Sequence, residues 1–457
     1  MSNNLKKGLV SIFLANIINL IFNILTNFLL PKYLSIDSYA AIKTFQLYTT
    51  YIGVFSLGIA DGMYLRYGGK STLQIDQNEL SKETFSFRLI MIFETLILVP
   101  IAIIYKDKII ITFVFTILSM NMTNYFKNLY QAIGEFKKYG RILNLTTILT
   151  FIVNMGLLFL LKIDNYFYYL ICYAIVDGII WMLLEKNIHL FNVQHKNEFS
   201  IKIIVDDIKS GFLLMVGNFS NILLSSMDRW FVKMMMSSSQ FAFYSFAVSL
   251  EGFLNVAITP ITTTLYNYFC NHMDYNDILN TRKNVMIFGS IIIAAAFPAK
   301  FIIEVFLTNY KGAVDVLFIL FATQMIYVVI KGVYINLYKA KKMQNKYFYR
   351  LVFILIVGFI LNFTLVKIYP YKESFAYGTL LSAIIWLVIC IYDFKSYIFS
   401  IREWIYLILE IVIFIILGEY CNSITGLLLY IAVTLCMLVV FMNNEVKGFI
   451  KSFMNKM

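Results

Sequence analysis

Charge is what this chain has least of. Only 14% of its 457 residues are Asp, Glu, Lys or Arg, against roughly 25% in a soluble domain. So few charges cannot build a water-facing shell around a core of this size, which excludes a soluble globular protein. Cysteine (5) and histidine (3) are also sparse. Cys172, Cys270, Cys390, Cys421 and Cys436 are scattered, mostly inside apolar segments, with neither metal-ligand spacing nor a disulfide framework. His189, His195 and His272 lie in or near loops rather than paired on a helix face. There is no glycine-rich phosphate loop, which argues against ATP hydrolysis, and no motif implies a cofactor. Polar loops are short throughout, so no soluble catalytic domain is expected.

What is present is apolar and arrives in blocks. Hydrophobic residues make up 60% of the chain and its mean hydropathy is +0.75. The runs Gly8 to Leu30, Ile109 to Leu118, Ile291 to Phe306 and Ile411 to Leu417 are typical. Segments near twenty residues match a hydrocarbon core of roughly 30 Å, and backbone in lipid must hydrogen-bond within its own segment. No sustained period-two alternation points to a barrel. The expected fold is an all-α integral membrane protein of about fourteen transmembrane helices. Their segments fall near 8–30, 40–61, 86–104, 109–130, 142–162, 166–185, 210–233, 241–268, 284–306, 313–337, 347–367, 375–394, 403–418 and 424–442. Lys6 and Lys7 before the first run resemble a signal-peptide start, but the run is too long and lacks a small-residue cleavage site.

The basic residues test this map. With the N-terminus cytoplasmic, roughly 26 Lys and Arg fall on that side and roughly 10 outside. The dense clusters are Lys137, Lys138 and Arg141, then Lys339, Lys341, Lys342, Lys346 and Arg350. Both termini are therefore expected in the cytoplasm, and the net charge of +12 is explained by basic loops meeting anionic headgroups. A nucleic-acid partner is not needed to explain it.

The chain also repeats itself. Asn128-Leu129-Tyr130-Gln131-Ala132 is echoed by Asn336-Leu337-Tyr338-Lys339-Ala340, and Lys138-Tyr139 by Lys346-Tyr347. Asn16 and Asn19 stand at one offset from Asn218 and Asn221, with Asn23 matching Ser225 and Asn27 matching Arg229. Six helices return the chain to its starting side. The expected organisation is therefore two parallel six-helix repeats, a lobe at 1–207 and a lobe at 208–400. Two appended C-terminal helices and a basic tail occupy 401–457. Parallel repeats of this kind bind substrate between halves and alternate access by rocking.

Polar residues inside the apolar runs mark candidate sites. Asn16, Asn19, Asn23 and Asn27 share one helix face, and Asn218 and Asn221 repeat the stripe on the seventh helix. Asn121, Asn124 and Asn128 form a third row on the fourth helix, for which interhelical bonding and cavity lining are equally open. Lys43, Arg229 and Lys331 are cations within or at the ends of spans, suited to an anionic substrate or to snorkelling, outward for the first two and inward toward the basic loop for Lys331. Glu251 is mid-helix without an evident local partner, Asp228 adjoins Arg229, and Glu94 and Asp177 lie deep in the third and sixth helices. Glu251, with Asp228, is the candidate for ion coupling.

At these residues the chain resembles a known family. Ser226-Met227-Asp228-Arg229 followed by Phe241-Ala242-Phe243-Tyr244-Ser245-Phe246-Ala247 resembles the seventh-to-eighth-helix signature of polysaccharide (O-antigen) flippases. These belong to the multidrug, oligosaccharidyl-lipid and polysaccharide exporter superfamily. Leu30 to Ala41 is similar to the family's first outer turn, with Ser38 in place of its Tyr-Gly context. Leu57-Gly58-Ile59-Ala60-Asp61 with Arg66-Tyr67 is similar to the end of its second helix, and Gln131-Ala132 to Tyr139 to its fourth-to-fifth loop. The resemblance implies a non-enzymatic flippase of the bacterial plasma membrane. Its cargo would be polyprenyl-diphosphate-linked oligosaccharide repeat units for surface polysaccharide or capsule biosynthesis. Its partners would be the lipid-linked oligosaccharide, membrane lipids and a polysaccharide polymerase or chain-length regulator. Alternatives are a multidrug cation antiporter of the same superfamily and a membrane-embedded polymerase or glycosyltransferase.

Overall fold

Apolar segments that must satisfy their own backbone can do so as helices, and the computed structural model of the chain is built of them. It describes residues 3–188, 198–271 and 274–442, with side chains omitted for 3–16, 136, 137, 187, 188, 267 and 271. Asn16 and the three histidines therefore lie outside the described residues, as does the basic tail beyond 442. No strand occurs among the described residues. Among the described residues ten helices are long and apolar enough to cross a membrane, or eleven if one bent pair counts as a single span. The chain is an all-helical, multi-pass membrane protein. Each of the fourteen expected segments falls on a helix or a broken helix.

The chain divides into two compact units, Met1–Leu223 and Leu224–Met457. The first holds α1 (Asn3–Tyr33), α2 (Ile36–Thr49), α3 (Ile59–Tyr67), α4 (Gln77–Tyr105), α5 (Lys108–Ala132), α6 (Phe136–Met155) and α7 (Tyr166–Ile188). The division falls inside α8 (Ile201–Met235). The second unit continues with α9 (Ser238–Gly252), α10 (Leu254–Asn271), α11 (Tyr275–Ile293), α12 (Ala296–Phe306) and α13 (Val314–Val329). It ends with α14 (Ile335–Ala340), α15 (Gln344–Ile368), α16 (Glu373–Asp393), α17 (Ile401–Tyr420) and α18 (Ser423–Phe441).

In the first unit α5 is the central helix, packed against α3, α4, α6 and α7. Over their most apolar stretches 56% of α5 is buried but only 17% of α4, so α4 turns most of its surface outward. Met122, Tyr125, Phe126, Leu129 and Tyr130 of α5 form the core with Phe87, Met91 and Ile180. In the second unit the helix running through Val314 to Ala340 takes the same role, with 89% of its apolar stretch buried. These two central helices are the ones that end on the echoed sequence, and they end alike. Glu135 N donates to Tyr130 O and Met343 N to Tyr338 O, both at 2.8 Å, while Gly134 N reaches Gln131 O and Lys342 N reaches Lys339 O. This is a Schellman ending, with the left-handed position filled by Gly134 (φ 75) and by Lys342 (φ 55).

The second expected segment differs most from the sequence reading. In place of one helix over 40–61, the chain forms α2, a 3-10 turn at Ile52–Ser56, and α3. Leu57 (φ 53) and Gly58 (φ 85) are left-handed between them. The reason lies in α8. Gly62 and Gly211 meet backbone to backbone, so that a Cβ on Gly62 would overlap Asp207 and one on Gly211 would overlap Gly58 and Gly62. The seventh segment also starts earlier than expected, at Ile201, so that Lys202 and Lys209 are helical rather than in a loop.

The last two helices are held by buried charges. Arg282 of α11 (1% exposed) pairs with Glu403 in the first turn of α17, its Nη2 lying 2.7 Å from Oε1 and 2.8 Å from Oε2. It also donates to Tyr397 O and stacks 4.3 Å from the Phe399 ring centroid. Lys300 of α12 donates to Gly418 O and Cys421 O at 2.7 Å, capping the other end of α17. Midway, buried Glu410 accepts from Tyr430 and Thr434 of α18 at 2.6 and 2.8 Å. Arg282→Ala leaves Glu403 buried without its partner, a loss of about 3–5 kcal/mol. A melting curve in detergent should fall well below wild type; an unchanged curve would contradict this account of how α17 is held.

Candidate functional site

Polar groups within spans are expensive in lipid, so they pair with one another or line water-filled space. The first unit does both. On α1, Asn27 Oδ1 accepts a hydrogen bond from Lys43 Nζ of α2 at 2.9 Å, while its own Nδ2 turns back to Asn23 O. Lys43 is buried, with Nζ 5.3 Å from the Tyr39 ring centroid. It therefore does not snorkel; it joins two helices. Asn23 is exposed and Asn19 half-buried, its Oδ1 enclosed without a partner among the described residues.

The amides of α8 go elsewhere. Asn218 Nδ2 donates to Asp61 Oδ1 of α3 at 3.1 Å, and Asn221, exposed, returns to Gly217 O of its own helix. Asp61 and Asn218 belong to a cavity of about 230 Å³ that is also lined by Asn121, Asn124 and Asn128 of α5 and by Phe219. Asn19, Asn23 and Asn27 of α1 do not line this cavity. The row on α5 is thus cavity lining. Only Asn121 uses its amide on the helix itself, donating to Ile117 O. Asp61 and the three α5 amides were not singled out as binding residues from sequence. The signal for Asp61 lay in Gly58 and Gly62, whose tight approach to α8 sets Asp61 against Asn218.

Beyond the cavity, the same α3–α8 approach carries a charge network. Arg66 pairs with Asp207 at 2.5 Å and Glu79 at 2.8 Å. Buried Glu83 accepts from Tyr67 at 3.0 Å and Tyr125 at 3.1 Å. Asp177, deep in α7 as expected, faces Lys127 of α5.

In the second unit the remaining candidates converge. Buried Asp228 accepts the Tyr244 hydroxyl at 2.6 Å and the Arg229 backbone N–H at 2.7 Å. Glu251 of α9 accepts from Gln324 of α13, a partner that the sequence did not disclose. Asp228, Arg229 and Lys331 are all close enough to Glu251 to act on its charge. Lys331 sits in a π-helical turn, Ile330–Tyr334, that interrupts the central helix, with Nζ 5.2 Å from the Tyr327 ring. Such turns recur at functional sites. Among the described residues neither Arg229 nor Lys331 forms an ion pair, and Arg229 Nε is buried without a partner.

The chain shares its fold with the lipid II flippase MurJ. In its inward closed conformation that structure superimposes with a TM-score of 0.69 at 14% identity, covering 96% of this chain and 100% of the other. An inward-facing multidrug resistance MATE family transporter of the MOP superfamily gives 0.57 at 10% identity, with 82% and 95% covered. The Vibrio cholerae MATE transporter VcmN gives 0.54 at 13%, with 86% and 95% covered. No protein-family model matches the sequence. No curated protein matches it either. The fold is thus common to a lipid flippase and to drug transporters, and choosing between them falls to the side chains.

Tyr244→Phe removes the hydroxyl that serves Asp228. A hydrogen bond to a charged group contributes about 1.5–3 kcal/mol, so the variant should melt at a lower temperature in detergent while remaining folded. Melting at the wild-type temperature would show that Asp228 does not depend on Tyr244.

Proposed function

We propose that this chain is a flippase moving polyprenyl-diphosphate-linked oligosaccharide repeat units across the bacterial plasma membrane by alternating access, for surface polysaccharide biosynthesis. The observation that carries the reading is the pair of in-span cations, Arg229 and Lys331, neither in an ion pair among the described residues. A cation within a membrane span costs at least ~2.5–3.5 kcal/mol at the span centre, and the carboxylates of Asp228 and Glu251 nearby offset part of that cost. A diphosphate would add negative charge that bonds the cations directly, and guanidinium and ammonium groups are its natural partners. The amides of Asn121, Asn124, Asn128 and Asn218 suit the hydroxyls and amides of the sugar part. A flippase breaks no covalent bond, so the chain needs only to bind, enclose and release. One protein of the same fold is a lipid II flippase, which is consistent with a lipid-linked cargo. Glu251, bonded to Gln324 and facing Lys331, is the proposed ion-coupling residue, with Asp228 beside it. A polysaccharide polymerase or chain-length regulator would receive the cargo.

The second reading is a multidrug cation antiporter. It draws on Asp228 and Glu251 and on the two MATE structures of the same fold. Cells lacking this protein distinguish the two when their polyprenyl-linked sugars are extracted and weighed. Accumulation of a complete repeat unit is expected. A truncated sugar would indicate a glycosyltransferase, and no accumulation with heightened sensitivity to cationic drugs would indicate the antiporter. Arg229→Ala and Lys331→Ala should each abolish complementation of these cells without lowering the amount of folded protein. Wild-type complementation by both would remove the cationic binding site from the account.

A further inference from the structure

The cavity of the first unit has a chemistry of its own. Its polar lining is one carboxylate, Asp61, one hydroxyl, Ser56, and four amides, with no Lys, Arg or His among the described lining residues. Asp61 spends one oxygen on Asn218. Asn121 is 1% exposed; its side chain borders the cavity, and its Oδ1 is buried with no hydrogen-bond partner among the described residues. Asn124 and Asn128 face the same space and make no side-chain hydrogen bond among the described residues. A buried acceptor left open, as at Asn121, is costly unless something occupies it, and the half-buried amides of Asn124 and Asn128 are open to a ligand in the cavity.

These amides are not a requirement of the helix that carries them. When the two echoed segments are aligned, Asn121 and Asn124 fall on Val329 and Gly332 of the second central helix, which packs without them. Asn128 falls on Asn336, and there the side chain is fully used: it donates to Thr262 O at 2.7 Å and Gly332 O at 2.9 Å. In the second unit the echoed asparagine is a structural clip. In the first it is left open to a cavity.

We infer that this cavity is a subsite for one neutral or N-acylated sugar ring of the cargo, with Asp61, Asn121 and Asn124 its specificity-determining residues. The inference rests on the flippase reading for the identity of the cargo, and names where its first sugar is recognised. At about 230 Å³ the space is below the roughly 300–1,000 Å³ of drug-sized pockets, but admits a single ring. A carboxylate and several amides offer both acceptors and donors to hydroxyls, and Phe219 gives an apolar face for the C–H side of a pyranose. A uronic acid is rejected, because Asp61 repels its carboxylate and no lining cation compensates. A site built to hydrogen-bond a substrate discriminates strongly, since the wrong ligand leaves its groups unpaired.

The test uses the purified full chain and two assays. Saturation-transfer NMR is run with methyl N-acetylglucosaminide and methyl glucuronide. Flipping is measured in proteoliposomes with a short polyprenyl diphosphate carrying N-acetylglucosamine, glucuronic acid or no sugar. The N-acetylglucosamine probes should bind and flip in preference to the glucuronic acid ones. Asn124→Ala, which removes no side-chain hydrogen bond found among the described residues, should reduce both by about three- to tenfold, the equivalent of one hydrogen bond of ~0.7–1.4 kcal/mol. It should leave flipping of the sugar-free lipid unchanged. Asp61→Asn should narrow the preference against glucuronic acid. Flipping without discrimination, unaffected by Asn124→Ala, would overturn the subsite and leave the flippase standing. Discriminating binding with no flipping of any lipid would overturn the flippase and keep the sugar site. Neither binding nor flipping would overturn both.

Discussion

A polar atom in the hydrocarbon of a membrane has no water to fall back on, and most of this chain follows from that constraint. The backbone answers it with helices. Side chains answer it by pairing, as Lys43 does with Asn27 and Arg282 with Glu403. Pairing is left incomplete at several buried atoms in both units, Trp181 Nε1, Asn362 Oδ1 and Trp386 Nε1 among them. Two groups lie together: the α5 amides that line the cavity, and the cations Arg229 and Lys331 near Glu251. They separate by chemistry, amides and one carboxylate in the first unit, cations and carboxylates in the second.

The two units solve one folding problem twice with different local means. Each is built on a central helix that ends in the same hydrogen-bonded turn. In the first, that helix presents Asn121, Asn124 and Asn128 to a cavity. In the second, a π turn widens the helix at Lys331, and Asn336 is consumed in holding Thr262 and Gly332. The two central helices thus share their ending but differ in their polar content. Glycine at positions 58, 62 and 211 has a comparable role in the first unit. By letting α3 lie against α8 it sets Asp61 beside Asn218 and Arg66 beside Asp207.

Much of the architecture was readable from sequence because hydropathy and helix length are local properties. The apolar segments and the echo of Asn128 in Asn336 had sequence signals, whereas the gathering of Asp228, Arg229 and Lys331 near Glu251 did not: the sequence grouped Lys43 with Arg229 and Lys331, and Lys43 bonds Asn27 in the first unit. The break at Leu57 and Gly58 had no such signal either, because it depends on a helix that lies well over a hundred residues further along the chain. Nor did the π turn at Lys331 or the bond from Gln324 to Glu251, which arise from packing between elements. Spacing places asparagines on helix faces, but it does not say what a face meets. The α1 stripe is occupied partly by Lys43, whereas the α5 row, which spacing left undecided, lines the cavity.

The central claim is that the chain binds an anionic, lipid-linked sugar through cations held inside its second unit. Native mass spectrometry of the purified protein tests it most directly. The account predicts a bound mass equal to a polyprenyl diphosphate carrying a complete oligosaccharide, retained by the wild type and lost when Arg229 and Lys331 are both replaced by Met. Retention of that mass by the double variant, or its absence from the wild type together with binding of a cationic dye, would contradict it.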